Sequence, residues 1–218
     1  MKLSSQDRWV FIGDSITDCG RARPIGEGGN GALGNGYVAQ IDALLRAVYP
    51  DLNIRISNVG TSGNTVRDLK ERWSNDVLDL KPDWLAVKIG VNDVWRQFDA
   101  AARPEQHVYL DEYKRTLREL LTPVRSSVKG LVLITPYYLE ANTEDPMRAT
   151  MDVYGAAVKE IAEELEAILV DTQAAFDRQW EFIYPAALAW DRVHPDQAGH
   201  MIITRAVLEA IGFDWNRA

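Results

Sequence analysis

Short apolar runs alternate with longer segments of helical spacing along the chain. The runs of strand length are Val10–Gly13, Ile54–Asn58, Trp84–Gly90, Leu131–Thr135 and Ile168–Asp171. The segments of helical spacing between them are Tyr37–Val48, Val66–Leu78, Leu110–Val124 and Met147–Ala167. This alternation predicts right-handed βαβ units and therefore a parallel sheet of about five strands with helices on both faces. We find no repeat and no low-complexity linker, so residues 1–218 are expected to form one domain.

The composition is that of a soluble globular protein and narrows the class of partner. Of the 218 residues, 46% are hydrophobic and 26% are charged, and the formal net charge is −8. A negative chain is poorly suited to nucleic acid or to an anionic membrane surface, and no apolar run approaches the roughly 20 residues of a membrane span. Cys19 is the only cysteine, which excludes an internal disulfide and a cysteine metal cluster. Because the first eight residues are mostly polar and no signal-peptide core follows, we expect a cytoplasmic protein.

The first apolar run ends in Gly13-Asp14-Ser15, which places a serine just beyond a predicted strand. Open α/β sheets bind their ligands at the carboxyl ends of the strands, so Ser15 is a candidate nucleophile. The alternative is that Asp14 and Ser15, with Thr17, only cap a following helix. Candidate site residues elsewhere in the chain are needed to distinguish these two interpretations.

Two further strand ends carry polar groups suited to binding a negative charge. The second strand runs into Asn58-Val59-Gly60-Thr61-Ser62-Gly63-Asn64, where glycine lets the backbone approach a ligand closely. The third strand runs into Gly90-Val91-Asn92-Asp93, where the Asn92 amide can donate hydrogen bonds. Taken alone, the Gly63 segment is more readily an ordinary strand-to-helix turn capped by Asn64 or Thr65, and the Asn92 segment could also be an ordinary turn. Together they offer donors for an oxyanion hole, in which one donor is typically worth about 3 kcal/mol of transition-state stabilisation.

The segment Asp191-Arg192-Val193-His194-Pro195 pairs a carboxylate with a histidine three residues later. In a turn this spacing can bring the carboxylate against imidazole Nδ1 and leave Nε2 free as a base. Pro195 is expected to begin a helix that runs to about Ile211 and ends at Gly212. A lone histidine here would more often be a cap, and the neighbouring aspartate favours a functional interpretation. His194 and His200 match no metal-binding spacing, so we expect no metal site.

The segment from Gly26 to Gly34 matches the dinucleotide pattern GxGxxG twice. The pattern has meaning only directly after a strand and at the start of a helix, whereas a dozen residues separate it from the first predicted strand. We therefore expect a flexible surface loop near the site.

These blocks, taken in order, resemble those of the SGNH (GDSL) hydrolases: Gly13-Asp14-Ser15, Gly63 in Ser62-Gly63-Asn64-Thr65, Asn92 in Gly90-Val91-Asn92-Asp93, and Asp191 with His194. The resemblance implies a flavodoxin-like α/β fold with three α/β/α layers. Longer segments look like the intracellular acetylxylan esterases: Gly13–Pro24, Ser62–Leu69, Asn92–Gln97 and Tyr184–Pro195. They imply an enzyme that removes acetyl groups from xylose units of short xylan fragments, and a homo-oligomer.

The same resemblance assigns roles residue by residue. Ser15 is the nucleophile, His194 the general base and Asp191 its orienting carboxylate. The N–H groups of Ser15 and Gly63 and the side chain of Asn92 form the oxyanion hole. Neither a metal nor an organic cofactor is needed.

Candidate substrate contacts come from residues that flank these blocks, because aromatic faces suit sugar rings. They are Trp95, Tyr184, Trp190 and, more weakly, Asp14. For the aromatic residues the alternative is a place in the core, which we favour for Tyr184, and for Asp14 it is support of the nucleophile turn. Phe213 and Trp215, near the C-terminus, either mark an interface or pack back onto the domain.

Two other functions remain open at this point. The first is an SGNH esterase or thioesterase for other acyl esters, since the same residues serve all of these reactions. The second is an inactive, carbohydrate-binding member of the fold, against which the intact catalytic blocks argue.

Overall fold

A central six-stranded sheet organises the computed structural model, which describes residues 1–217. The strands are β1 (Arg8–Gly13), β2 (Gly26–Glu27), β3 (Arg55–Asn58), β4 (Trp84–Lys88), β5 (Gly130–Ile134) and β6 (Ile168–Val170). Their order is β2-β3-β1-β4-β5-β6, and all neighbours are parallel except β2 and β3. The five predicted strands are therefore confirmed. Ala218, the last residue of the predicted domain, lies outside the described residues.

Nine helices in the described chain complete the α/β/α architecture. They are α1 (Ser15–Asp18), α2 (Tyr37–Val48), α3 (Val66–Trp73), α4 (Val91–Asp99), α5 (Leu110–Arg125), α6 (Pro146–Glu164), α7 (Thr172–Asp177), α8 (Pro185–Leu188) and α9 (Gln197–Ala210). Helix α9 packs against α2 and α7, while α5 packs against α3 and α6, and α6 against α4. Because helices cover both faces of the sheet, every residue of β4 and β5 is buried, as in parallel sheets generally.

The sheet has one strand more than predicted, and it corrects the expectation of a flexible loop at 26–34 for the first two of those residues. Gly26 and Glu27 pair antiparallel with Asn58 and Ser57. The Glu27 carboxylate also accepts hydrogen bonds from Ser57 and Arg8. A two-residue edge strand rich in glycine leaves no hydrophobic period, so the apolar pattern could not reveal it.

Three helix boundaries differ from the prediction by two residues or more. The helix expected over residues 147–167 ends at Glu164. The helix expected over residues 66–78 ends at Trp73 and continues as one π-helical turn, Ser74–Leu78. The C-terminal helix begins at Gln197 instead of Pro195, because the Asp196 side chain caps it by accepting a hydrogen bond from Gly199 N–H. Gly212, with φ +75°, follows its end as predicted. No helix among residues 1–217 is long and apolar enough to cross a membrane.

The topology brings the predicted site segments to one edge of the sheet. Ser15 follows β1, Gly63 lies between β3 and α3, and Asn92 stands in the first turn of α4 after β4. Parallel strands end on the same side of the sheet, which is where open α/β sheets bind ligands. The segment 191–194 precedes α9 and reaches this edge through that helix's contact with α2 and α7.

Asp93 joins two of these strand-end segments from inside the protein. Its Oδ1 accepts a hydrogen bond of 3.0 Å from the N–H of Val66, the first residue of α3. The side chain is fully buried, and its Oδ2 has no hydrogen-bond partner among residues 1–217. Burial raises the pKa of Asp93 from 3.8 to about 7, since a charged carboxylate is poorly solvated there.

We expect Asp93→Asn to change how stability depends on pH. With its raised pKa, folded Asp93 holds a proton that the unfolded chain releases, so this residue's contribution to stability decreases as pH rises from about 4 to about 7. Asparagine keeps an acceptor for Val66 N–H and has no such proton. Relative to wild type, the variant should therefore gain about 2 to 3 kcal/mol in free energy of unfolding between pH 5 and pH 8.

Urea unfolding at the two pH values measures this difference, and the other titrating groups cancel because both proteins share them. An equal change with pH in both proteins would contradict a raised pKa for Asp93.

Candidate active site

The turn after β1 places Ser15 at the start of a short helix. Asp14 has an extended backbone and caps α1, because its Oδ1 accepts a hydrogen bond of 3.0 Å from Ile16 N–H. Gly13 is required by close packing, since a Cβ there would overlap the Lys88 carbonyl and Thr17 Oγ1. The cap interpretation of Asp14 is thus correct, and it coexists with an accessible Ser15 hydroxyl.

Ser15, His194 and Asp191 form a continuous chain of hydrogen bonds. Ser15 Oγ lies 2.8 Å from His194 Nε2, and His194 Nδ1 lies 2.6 Å from Asp191 Oδ2. An ionised carboxylate can only accept, so Nδ1 carries the proton and Nε2 is free to accept from the Ser15 hydroxyl. The arrangement can therefore remove a proton from Ser15 when its oxygen attacks an electrophile.

The backbone of the 191–194 turn fixes the carboxylate in this position. Asp191 Oδ1 accepts hydrogen bonds from the N–H groups of Val193 (3.0 Å) and His194 (2.8 Å). Burial opposes ionisation, but these bonds and the one from the His194 ring together lower the pKa of Asp191. Asp191 is thus held as an anion facing the imidazole.

Contacts from the segment after β5 hold this turn against the sheet. Leu139 N–H donates to the carbonyl of Arg192 (2.9 Å), and the Tyr137 hydroxyl donates to the carbonyl of Val193 (3.2 Å). Arg192 itself has φ +62°, which makes the turn tight enough for Asp191 to meet His194. These two hydrogen bonds therefore hold the turn that carries His194 against the segment that follows β5.

Hydrogen-bond donors line the same cavity as the Ser15 hydroxyl. Within residues 1–217, no backbone carbonyl accepts the N–H of Ser15 or of Gly63, so both groups are available to a ligand. The Asn92 side chain lines the same cavity as Ser15 and Gly63, and its Nδ2 donates one hydrogen bond to the Asn64 carbonyl (3.0 Å). The three predicted oxyanion donors are thus brought to one place.

A buried carboxylate positions the loop that carries Gly63. Asp18 Oδ2 accepts hydrogen bonds from Ser62 N–H (3.0 Å) and Ser62 Oγ (2.9 Å), and Arg23 pairs with it at 2.6 Å. Burial opposes its ionisation, but the bonds from Arg23 and Ser62 lower the pKa of Asp18. Gly63 follows with φ +83°, a left-handed conformation that glycine adopts without strain.

An open cavity of about 850 Å³ contains the whole constellation. Two of the predicted aromatic residues line it, Trp95 and Trp190. The Trp95 ring lies 5.8 Å from the His194 ring, and the Trp190 side chain is 86% exposed. The alternative of a core position is therefore wrong for Trp190.

Two other predicted substrate contacts are not at this cavity. Asp14 is fully buried beneath the nucleophile turn, where its side chain caps α1 and cannot face a substrate. Tyr184 is 74% exposed, so the favoured core interpretation is wrong. It lines a separate depression with Phe182 and Arg192. The reason is local: Tyr184 caps the four-residue helix α8, whose buried positions are Pro185 and Leu188.

Sequence reasoning missed Lys88, which lies directly behind the site. This last residue of β4 is fully buried, and no acceptor among residues 1–217 hydrogen-bonds its Nζ, which lies 4.5 Å from the centre of the Tyr137 ring. Burial lowers the pKa of Lys88, and it raises the pKa of Asp14, whose charge opposes that of Lys88. The signal in the sequence was a lysine inside an otherwise apolar strand.

The remaining titratable groups near the cavity do not form a metal site. His200 is buried, and its Nδ1 accepts a hydrogen bond of 3.2 Å from Tyr37 N–H. Burial lowers the pKa of His200 to about 4, so this ring stays neutral at physiological pH. In the described part of the chain, no group of three or more His, Cys, Asp or Glu side chains is arranged to hold a metal ion.

Comparisons with known proteins agree with this geometry. Residues 11–202 match the GDSL-like lipase/acylhydrolase family. The chain is 61% identical over 218 residues to an acetylxylan esterase of Geobacillus stearothermophilus, covering 100% of both chains. The crystal structure of that enzyme, Axe2, superposes with a TM-score of 0.99, again with full coverage and 61% identity.

Related crystal structures extend the match. The catalytic mutants S15A, D191A and H194A of Axe2 are each 60% identical to this chain with full coverage of both, at TM-scores of 0.99, 0.98 and 0.99. LAE5, an alpha/beta hydrolase enzyme from the metagenome of Lake Arreo, Spain, is 51% identical over 98% of each chain, at a TM-score of 0.96. The chain belongs to the GDSL-like lipase/acylhydrolase family.

Proposed function

We propose that this protein is a serine carboxylic ester hydrolase that removes acetyl groups from xylose units of acetylated xylo-oligosaccharides. The observation that carries the proposal is the hydrogen-bonded chain from Asp191 through His194 to Ser15, open to the cavity. Identity of 61% over the full length to an acetylxylan esterase supports the substrate class. The catalytic mutants of that relative, S15A, D191A and H194A, support these three residues as the catalytic triad.

The reaction begins with attack of Ser15 Oγ on the acetyl carbonyl carbon. His194 Nε2 takes the hydroxyl proton as the C–O bond forms, and Asp191 stabilises the resulting imidazolium. The tetrahedral intermediate collapses when His194 returns the proton to the sugar oxygen, which leaves as a hydroxyl. Ser15 then carries the acetyl group as an ester.

A water molecule completes the cycle by the same route. His194 removes a proton from the water as it attacks the acetyl-enzyme, and the second collapse releases acetate and restores the Ser15 hydroxyl. In both steps the negative charge develops on the carbonyl oxygen. In the proposed mechanism this charge is stabilised by the N–H groups of Ser15 and Gly63 and by the Asn92 amide.

The cavity suits a small acyl group attached to a larger polar body. Its opening is wide, which leaves room for sugar units to extend from the ester into solvent. The half-buried Trp95 ring stands beside His194, and the exposed Trp190 ring offers a face to a sugar. We keep both as proposed substrate contacts and assign Asp14 to support of the nucleophile turn.

The most direct test compares wild type with Ser15→Ala on acetylated xylo-oligosaccharides, 4-nitrophenyl acetate and 4-nitrophenyl octanoate. Wild type should release acetate from the sugars and cleave the acetate ester while refusing the octanoate. Loss of the nucleophile should lower kcat by about 10⁴-fold or more on every substrate that turns over. Ser126→Ala is a matched control that should keep wild-type activity, because it removes an exposed serine hydroxyl that does not line the cavity.

Three results would change the proposal in different ways. Fast cleavage of octanoate with untouched sugar acetates would move the function to lipid-like esters. Binding of the sugars without turnover would favour a binding protein on a hydrolase fold. Activity that survives in Ser15→Ala would overturn the mechanism.

We also propose that the enzyme is a homo-oligomer in the cytoplasm. Large aromatic side chains stand in solvent in the second half of the chain: Phe182 is 80% exposed, Tyr184 74%, Trp190 86% and Trp215 44%. Exposed aromatic surface of this kind commonly marks a protein interface. Xylo-oligosaccharides, unlike polymeric xylan, are small enough to be imported as substrates.

The oligomer is tested by sedimentation of Trp215→Ala. Trp215 packs on Phe213 at a ring distance of 4.6 Å and exposes its outer face, so truncation should remove interface area without opening the core. The variant should sediment at a lower mass than wild type at equal concentration. Phe98→Ala, which truncates an exposed aromatic residue on α4, should leave the mass unchanged. A monomeric wild type would refute the proposed oligomer.

A further inference from the structure

The Asn92 side-chain amide hydrogen-bonds to one acceptor and to one donor. Its Nδ2 donates to the Asn64 carbonyl at 3.0 Å, and its Oδ1 accepts from Arg96 Nη2 at 3.3 Å. A carbonyl can only accept and a guanidinium can only donate, so exchange of the amide nitrogen and oxygen would break both bonds. One of the two Nδ2 hydrogens is used by Asn64, and the other is left for a ligand in the cavity that Asn92 lines.

The contact with Arg96 follows from their spacing on α4. Residues 92 and 96 are four apart and therefore neighbours on one helix face. The arginine is fixed from two further sides: Nη1 pairs with Asp99, and the guanidinium lies 5.3 Å from the Trp95 ring. A planar group held in this way loses less freedom when it forms one more hydrogen bond.

The charge of Arg96 also acts on the donor strength of Asn92. A cation that bonds to an amide oxygen draws electron density from the amide, and hydrogen bonds in such a chain strengthen one another. The second Nδ2–H is the group that meets the developing oxyanion in the proposed reaction. Its donor strength therefore depends on a side chain that does not itself need to touch the oxyanion.

We propose that Arg96 is a positioning residue of the oxyanion hole, which aligns and polarises the Asn92 amide. The inference rests on the proposed esterase function and on Asn92 as an oxyanion donor. It gives Arg96 a role in the transition state, separate from that of a residue that binds the sugar.

Because Arg96 also lines the cavity, direct contact with substrate is the competing explanation. The two roles differ in what they change. A positioning residue that acts through Asn92 lowers kcat, and its effect disappears once Asn92 is gone. A residue that contacts substrate changes KM, and its effect persists without Asn92.

The test is a double-mutant cycle of Arg96→Met and Asn92→Ala with 4-nitrophenyl acetate, a substrate that has no sugar to contact. Asn92→Ala should lower kcat by about 100-fold. Arg96→Met should lower kcat by about tenfold and leave KM within about twofold, because it weakens the amide without removing it. The double variant should match Asn92→Ala within about twofold.

Two further variants separate charge and position from general loss of structure. Arg96→Lys keeps a cation that can donate to Oδ1, so it should recover part of the kcat lost in Arg96→Met. Arg103→Met removes an exposed arginine from the loop that follows α4 and should retain wild-type kinetics. Thermal unfolding of each variant shows whether the fold is kept.

If the two losses of kcat multiply in the double variant, or if Arg96→Met changes only KM, the proposed role of Arg96 is wrong. The proposed esterase function would be unaffected by either result. Absence of turnover in wild type, or equal turnover in Ser15→Ala, would instead refute the proposed function, and this inference with it. The two failures are therefore distinguishable in one set of measurements.

Discussion

A hydrogen bond between Ser15 Oγ and His194 Nε2 joins two residues that are 179 positions apart in the chain. The proposed proton transfer from Ser15 depends on this hydrogen bond. It requires that the end of β1 and the turn before α9 meet at one edge of the sheet. The Tyr137 hydroxyl anchors that turn by bonding the Val193 carbonyl, and Asp191 then accepts from the backbone of its own turn. The hydrogen-bonded triad is thus a consequence of how the last third of the chain is fastened onto the parallel sheet.

Buried charge supports the same closure from below. Asp18 ties the Gly63 loop to the helix that carries Ser15, while Asp14 caps that helix over the buried Lys88. Desolvation makes such groups costly unless a partner or a hydrogen bond offsets it. Asp14 and Asp18 lie just beyond the end of β1, where Asp14 accepts from Ile16 N–H and Asp18 accepts from Ser62 N–H. The loops around the site are thus held by hydrogen bonds to buried carboxylates, while no backbone carbonyl in the described chain accepts from the N–H groups of Ser15 and Gly63.

Much of this could be predicted from the sequence. The apolar runs located all five parallel strands, most clearly β4 and β5, because strands buried on both faces read as continuous hydrophobic stretches. The predicted site residues Ser15, Gly63 and Asn92 follow three of those runs, so the strand topology brings them to one edge of the sheet. Strand β2, Gly26–Glu27, which pairs antiparallel with β3, was not predicted, because a strand of two residues carries no hydrophobic period. The sequence also did not predict that Lys88 is buried or that Tyr184 is exposed, because burial depends on which other elements of the fold cover a residue. In the sequence, Arg96 is only a polar position in the segment after β4. Its contact with Asn92 depends on the conformation of both side chains.

Covalent labelling can show whether Ser15 is the activated nucleophile of this protein. An irreversible phosphonate probe for serine hydrolases, followed by peptide mass spectrometry, reports which residue is activated as a nucleophile. We expect one phosphonyl group per chain, on Ser15, and slow or absent labelling in His194→Ala because the base that activates the hydroxyl is gone. Labelling at another residue, or equal labelling of Ser15 in His194→Ala, would contradict it.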